Sequence, residues 1–240
     1  CGDGVRPKEN KQRKICFDMN KILIEGDSKE KLKQLTEGSV DFMATDPPYG
    51  YSFMNKGWDK VLPDVEIWKE SFRVLKEGSF ICVMAAPRTD VLWRICRDLE
   101  EAGFNMAFSN IEWVYHSGFP KASDVKKMME KRGVDDDKYE GSKLGFQPKP
   151  AREIVIVGMK PFKEKSYIDK VLNFEELPEN IQRTYPLIQT PKPSKKEKQI
   201  GTDKNTHPTI KPIKLMSYLI TLFTREGDYV LDPFMGSGTT

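Results

Sequence analysis

Two short stretches hold residue types that could do chemistry. The first is Asp46-Pro47-Pro48-Tyr49, directly after the short apolar run Val40 to Thr45. Proline has no N–H and pushes the residue before it out of the α region. Two in succession therefore end a strand abruptly and leave the carbonyls of Asp46 and Pro47 without partners from the N–H groups that follow. A carboxylate, two carbonyls and an aromatic ring at a strand's carboxyl end can accept hydrogen bonds from a planar amine and stack on its ring. That suits a nucleobase amino group better than a metal or a phosphate, and open α/β sheets bind ligands at this edge. A bare Asp-Pro-Pro also reads as a loop stop with a turn aspartate. The second stretch is Leu231-Asp232-Pro233-Phe234-Met235-Gly236-Ser237-Gly238-Thr239-Thr240. An apolar strand that runs into an acid and then Gly-x-Gly brings backbone close to a small cofactor, and the Lys of a phosphate-binding P-loop is missing.

The elements that must position these residues alternate. Ile22 to Ile24 reads as a strand ending at Gly26-Asp27, followed by a helix capped by Ser28, with Leu32 and Leu35 inward and Gly38 as its stop. Val40 to Thr45 is a second strand. Val65 to Lys76 is a helix stopped by Gly78, Phe80 to Met84 a strand, and Val91 to Ala102 a helix ending at Gly103. Two more strands are expected at Met106 to Tyr115 and Glu153 to Val157, with a helix near Asp124 to Lys131 between them. Pro212 opens an amphipathic helix carrying Ile213, Met216, Leu219, Ile220 and Phe223, and Tyr229 to Leu231 leads as a strand into Asp232. Continuous apolar runs of about five residues suit strands covered on both faces, so the expected fold class is α/β, a doubly wound, mostly parallel sheet.

Asp-Pro-Pro-Tyr at 46–49, then His207-Pro208-Thr209-x-Lys211-Pro212, then Asp-Pro-Phe-x-Gly-Ser-Gly-Thr-Thr closely resemble the S-adenosylmethionine-dependent DNA amino-methyltransferases. The resemblance is to the permuted group whose catalytic motif precedes the cofactor motif, and it covers residues 20–240. It implies that Asp46, Pro47, Pro48 and Tyr49 are catalytic. It implies that Asp232, Pro233, Phe234, Gly236, Ser237, Gly238 and Thr239 form the cofactor loop, and that His207, Thr209 and Lys211 lie next to the methionine moiety of S-adenosylmethionine. Asp27 matches the position that reaches the cofactor's adenine. A helix-entry role is open for Asp27 and for residues 207–212 alike. The family's ribose-binding acid ends a strand after the glycine loop, for which this chain has no residues left, so part of the cofactor pocket is expected to be missing.

What the resemblance implies for function is methyl transfer to the exocyclic nitrogen of adenine in double-stranded DNA, with the base flipped out of the helix. A restriction endonuclease is the expected functional pair. Asp at the first catalytic position favours adenine, and cytosine at N4 is the alternative. Methylation of a protein glutamine amide would call for Asn at that position and an upstream cofactor motif, and both features disagree. A truncated, inactive DNA-binding relative is the remaining alternative.

Composition narrows the class. The chain has 240 residues, 38% hydrophobic and 31% charged with a net charge of +3, which fits a packed soluble protein and excludes a polycation. Four scattered cysteines without a C-x-x-C and two histidines leave no zinc cluster or disulfide framework to build, which points to a reducing cytoplasm. The longest apolar run is far too short for a membrane span, and the charged N-terminus has no signal-peptide core. Residues 1–19 read as a polar basic tail and 20–159 as the catalytic half with a charged insert at 117–150. Residues 160–206 read as a target-recognition region and 207–240 as the start of the cofactor half. Lys192, Lys195, Lys196 and Lys198 are the expected contacts to DNA phosphates, and a solvated charged surface is the other reading.

Overall fold

The structure, a computed structural model, describes residues 21–50, 60–115, 123–145, 151–163, 187–200, 210–236, 238 and 240. In chain order the elements are α1 (Ser28–Leu32), β1 (Val40–Thr45), α2 (Val65–Val74), β2 (Leu75–Ala85), α3 (Thr89–Glu101) and β3 (Ile111–Val114). There follow β4 (Ser123–Asp124), α4 (Val125–Glu130), β5 (Lys143–Leu144), β6 (Arg152–Met159), β7 (Leu187–Gln189), α5 (Ile213–Phe223) and β8 (Val230–Leu231). Among the described residues the central sheet has six strands in the order β7-β3-β6-β2-β1-β8, and β4 pairs with β5 in a separate ribbon. β1 is parallel to β2 and β8, and β3 is parallel to β7, while β6 is antiparallel to both β2 and β3. Five strands therefore point one way and β6 alone is reversed.

The strand sequences explain the layers. Alternate residues point to opposite faces, so a strand apolar at every position can be buried on both. Ile81, Val83 and Ala85 of β2 and Ile154 and Ile156 of β6 face α2 and α3 with Trp68, Val91, Ile95 and Leu99. Cys82, Met84, Val155 and Val157 face α5 through Leu215, Met216, Leu219 and Leu222. Phe42 and Phe223 stack with ring centroids 5.2 Å apart across this second layer. Burial pushes the Cys82 thiol well above its ordinary pKa, so it packs as a small apolar residue.

Several sequence expectations are corrected. Ile22, Leu23 and Ile24 form no strand and stand 61%, 54% and 46% exposed, because both edges of β1 are already taken by β2 and β8. α1 is shorter than expected, ending at Leu32, and its cap is Asp27 rather than Ser28, with Asp27 Oδ1 accepting from the Lys29 N–H at 2.8 Å. Gly78 does not stop α2. The helix ends at Val74 and β2 begins at Leu75 with no loop, so Gly78, at φ +79°, lies in an irregular stretch where β2 slips register against β1. The strand expected over Met106 to Tyr115 contracts to β3, and Pro212 caps α5 rather than opening its first turn. The lysine-bearing segment contributes β7 to the sheet, and the Trp113 indole N–H donates to the Thr190 carbonyl at 2.9 Å. Among the described residues no helix is long and apolar enough to cross a membrane.

Candidate active site

The carboxyl ends of β1 and β8 lie side by side, with α2 following β1 on one face of the sheet and α5, which precedes β8, on the other. This carboxyl edge is where open α/β sheets bind ligands. Asp46 follows β1 and Asp232 follows β8, which brings together two motifs that are far apart in sequence. Thr45 Oγ1 donates to Asp232 Oδ1 at 2.5 Å and joins them directly. Asp232 also accepts from the Phe234 N–H at 3.0 Å and from Thr240 Oγ1 at 2.5 Å. Burial raises the Asp232 pKa, against the pull of these three donors, and the nearby Asp46 charge adds to the rise.

The cofactor-loop residues are held from two sides. Ser28 Oγ, at the start of α1, donates to the Pro233 carbonyl at 2.5 Å. The Phe234 ring lies 5.7 Å from the buried Trp68 of α2. Gly236 and Gly238 adopt φ of +56° and +77°, and a Cβ on either would meet nothing closer than 3.8 Å. The turn therefore needs glycine for its backbone, and the space above it is open. A half-buried acid, an exposed tight turn and a flanking aromatic fit a small cofactor laid against backbone. Ser237, Thr239, His207 and Thr209 lie outside the described residues.

On the β1 side of this edge, Asp46 sits in a cluster that the motifs alone do not reveal. Tyr49 Oη donates to Asp46 Oδ1 at 2.7 Å, and Lys211 Nζ donates to Asp46 Oδ2 at 2.5 Å. Lys211 also pairs with Glu153 Oε2 at 3.3 Å, and its side chain is only 6% exposed. Glu153 Oε2 is 3.4 Å from Tyr49 Oη. Burial by itself would depress the Lys211 ammonium, but Asp46 and Glu153 outweigh it and hold it above its ordinary value. Lys211, expected beside the cofactor, thus lies on the catalytic motif. Asp27 is exposed and caps α1, which is the helix-entry role.

Sequence reasoning missed Glu153, Thr45 and Ser28. Glu153 is an acid at the head of an apolar run, and it reaches this edge only because β6 runs against its neighbours. The lysine run is near the same edge. The Lys192 ammonium lies 4.4 Å from the Tyr115 ring centroid just past β3, and Glu197 Oε1 accepts from the Ile213 N–H, fastening the run to the start of α5.

Comparison with known proteins gives the family. The Type II methyltransferase M.HpaI of Haemophilus parainfluenzae is 27% identical over 235 residues, which cover 92% of this chain and 65% of that protein. This chain thus spans just under two thirds of that relative's length. The DNA adenine methyltransferase YhdJ of Escherichia coli is 27% identical over 240 residues, covering 92% of this chain and 73% of that protein. Among solved structures, the cytosine-N4-specific PvuII DNA methyltransferase superposes with a TM-score of 0.59 at 23% identity, over 92% of this chain and 76% of that one. That likeness speaks to the fold, a methyltransferase α/β sheet. The family model described as DNA methylase, covering N6 and N4 enzymes, matches residues 40–240, and this chain belongs to that family.

Proposed function

We propose that the protein transfers a methyl group from S-adenosylmethionine to the exocyclic amino nitrogen of adenine in double-stranded DNA, with the target base flipped out of the duplex. The observation that carries this reading is the Thr45 to Asp232 hydrogen bond of 2.5 Å, which fixes the amine-accepting motif against the glycine turn. The likeness to YhdJ and the Asp at position 46 support adenine. A restriction endonuclease acting at the same site is the functional partner in this reading.

An aromatic amine is a poor nucleophile because its lone pair is delocalised into the ring. Asp46 and the Pro47 carbonyl accept its two hydrogens, bias the nitrogen toward tetrahedral geometry and expose the lone pair along one direction. The cofactor, when bound, supplies an electrophilic methyl group on a sulfonium. Asp232, the Gly236 and Gly238 turn and Phe234 would hold it on the β8 side, and the family resemblance adds His207 and Thr209 to the residues that would bind it. Tyr49 supplies the stacking ring and, through its hydroxyl, steadies Asp46. An ionised Asp suits an acceptor, since the proton leaves readily once the nitrogen is alkylated. Most of the acceleration comes from positioning, and taking the base out of the stack costs a few kcal/mol.

The decisive experiment is incubation of the full-length protein with duplex DNA and S-adenosylmethionine labelled in its methyl group, followed by nucleoside analysis. Label in N6-methyladenine is expected. Label in N4-methylcytosine would move the assignment to cytosine, and DNA binding without transfer would favour an inactive relative.

Phosphate binding is assigned to the lysine run. Reversing Lys192, Lys195, Lys196 and Lys198 to Glu is expected to weaken DNA binding at least tenfold at low salt. The slope of log K against log salt should fall by about 0.9 for each phosphate that is no longer neutralised, read by fluorescence anisotropy. An unchanged slope removes this segment from the interface.

A further inference from the structure

We propose that Lys211 and Glu153 are positioning residues for Asp46, an inference that rests on the reading of Asp46 as the amine acceptor. The ammonium is shared between two carboxylates, so that it aims Asp46 without capturing it outright.

The sheet edge gathers three acids from three elements: Asp46 after β1, Glu153 at the head of β6 and Asp232 after β8. Among the described residues Tyr49 is the remaining titratable group facing Asp46. Lys211, just before α5, is the cation within bonding distance of two of them, at 2.5 Å from Asp46 and 3.3 Å from Glu153. Carboxylates gathered at one edge without a cation repel one another and resist ionising together, and a protonated acid no longer accepts from an amine with both oxygens. Lys211 removes that conflict. Its near-complete burial fixes the ammonium in place, and a lysine has three N–H donors to divide. Each Asp46 oxygen has two acceptor positions, so the bonds from Lys211 and Tyr49 leave one on each for a substrate hydrogen. Glu153 is what keeps the division even. Without its charge the ammonium turns wholly to Asp46 and weakens it as an acceptor.

The arrangement makes a signed prediction. In Lys211→Met the acid limb of the kcat/KM profile of the full-length enzyme, which reports the free enzyme, moves upward by about one pH unit or more. Adding Glu153→Gln to that variant moves the limb back, because Asp46 has lost its nearest like-charged neighbour. Lys211→Arg keeps the limb near that of wild type. Glu153→Gln alone lowers kcat about tenfold while leaving the KM for S-adenosylmethionine within threefold. An acid limb that stays put in Lys211→Met, or one that Glu153→Gln fails to restore, overturns the proposal. So does a rise confined to the KM for the methyl donor, which would return Lys211 to the cofactor.

A second readout needs no turnover. In Lys211→Met the native carboxylates titrate above their unfolded values, so stability is regained as pH falls toward those unfolded values and lost as pH rises through the raised native ones. The Tm deficit of Lys211→Met relative to wild type should shrink from pH 8 to pH 5, and Glu153→Gln should flatten that trend. If the protein transfers no methyl group to DNA, the functional reading fails, and this thermal series still decides the charge arrangement: a deficit that does not change with pH overturns it.

Discussion

Asp46→Ala abolishes methyl transfer, with kcat lowered about a thousandfold or more, while duplex DNA is still bound within a few-fold of wild type. The size follows from what the side chain does. In the proposed mechanism it is one of the pair of acceptors that draw the amino nitrogen out of conjugation, and removing one preorganised group at a reacting centre commonly costs two to three orders of magnitude. In the same proposal DNA affinity is carried elsewhere, by lysines and arginines that bind phosphates. The variant should also fold, because Lys211 is not orphaned: Glu153 remains 3.3 Å from its ammonium when Asp46 is gone. Single-turnover transfer, anisotropy with duplex DNA and a melting curve separate these outcomes. Turnover equal to wild type would remove Asp46 from the mechanism.

The site was legible in the sequence where the signal is local. Asp-Pro-Pro stops a strand by covalent geometry alone, and Gly-x-Gly after an apolar strand can be read without knowing any neighbour. The helices α2, α3 and α5 were readable for the same reason, since their apolar residues recur at helical spacing, with Gly103 just past the end of α3 and Pro212 at the start of α5. Glu153 was not readable. Its place beside Asp46 depends on β6 running opposite to the other five strands, and in a parallel β6 it would sit at the far edge of the sheet. Strand direction is set by pairing partners far away in the chain, and nothing in Glu-Ile-Val-Ile-Val announces it. Ile22 to Ile24 shows the converse: the run has the composition of a strand but finds no free edge on β1. Lys211 illustrates a third limit. A lysine before a proline reads equally as helix entry, cofactor contact or buried counter-ion, and its 6% exposure and two carboxylate partners support the last.

Trp68→Ala should show how far the scaffold reaches into the cofactor side of the site. Trp68 is fully buried in α2, among the residues that cover one face of the sheet, and truncating a buried Trp to Ala typically costs about 3–5 kcal/mol. The same ring stands 5.7 Å from Phe234, tilted by 55°, inside the cofactor-loop motif. Phe234 also supplies the backbone N–H that Asp232 accepts at 3.0 Å, so a ring that loses its support loosens the donor as well as the aromatic wall. Two effects are therefore expected together: a lower urea midpoint with the m-value unchanged, and weaker S-adenosylmethionine binding by calorimetry at a temperature where the variant is still folded. Trp68→Phe keeps a ring against Phe234 and should recover most of the cofactor affinity while recovering only part of the stability. If Trp68→Ala lowers stability but binds the cofactor as wild type does, the loop is held by Ser28, Thr45 and Thr240 alone, and α2 serves only the core.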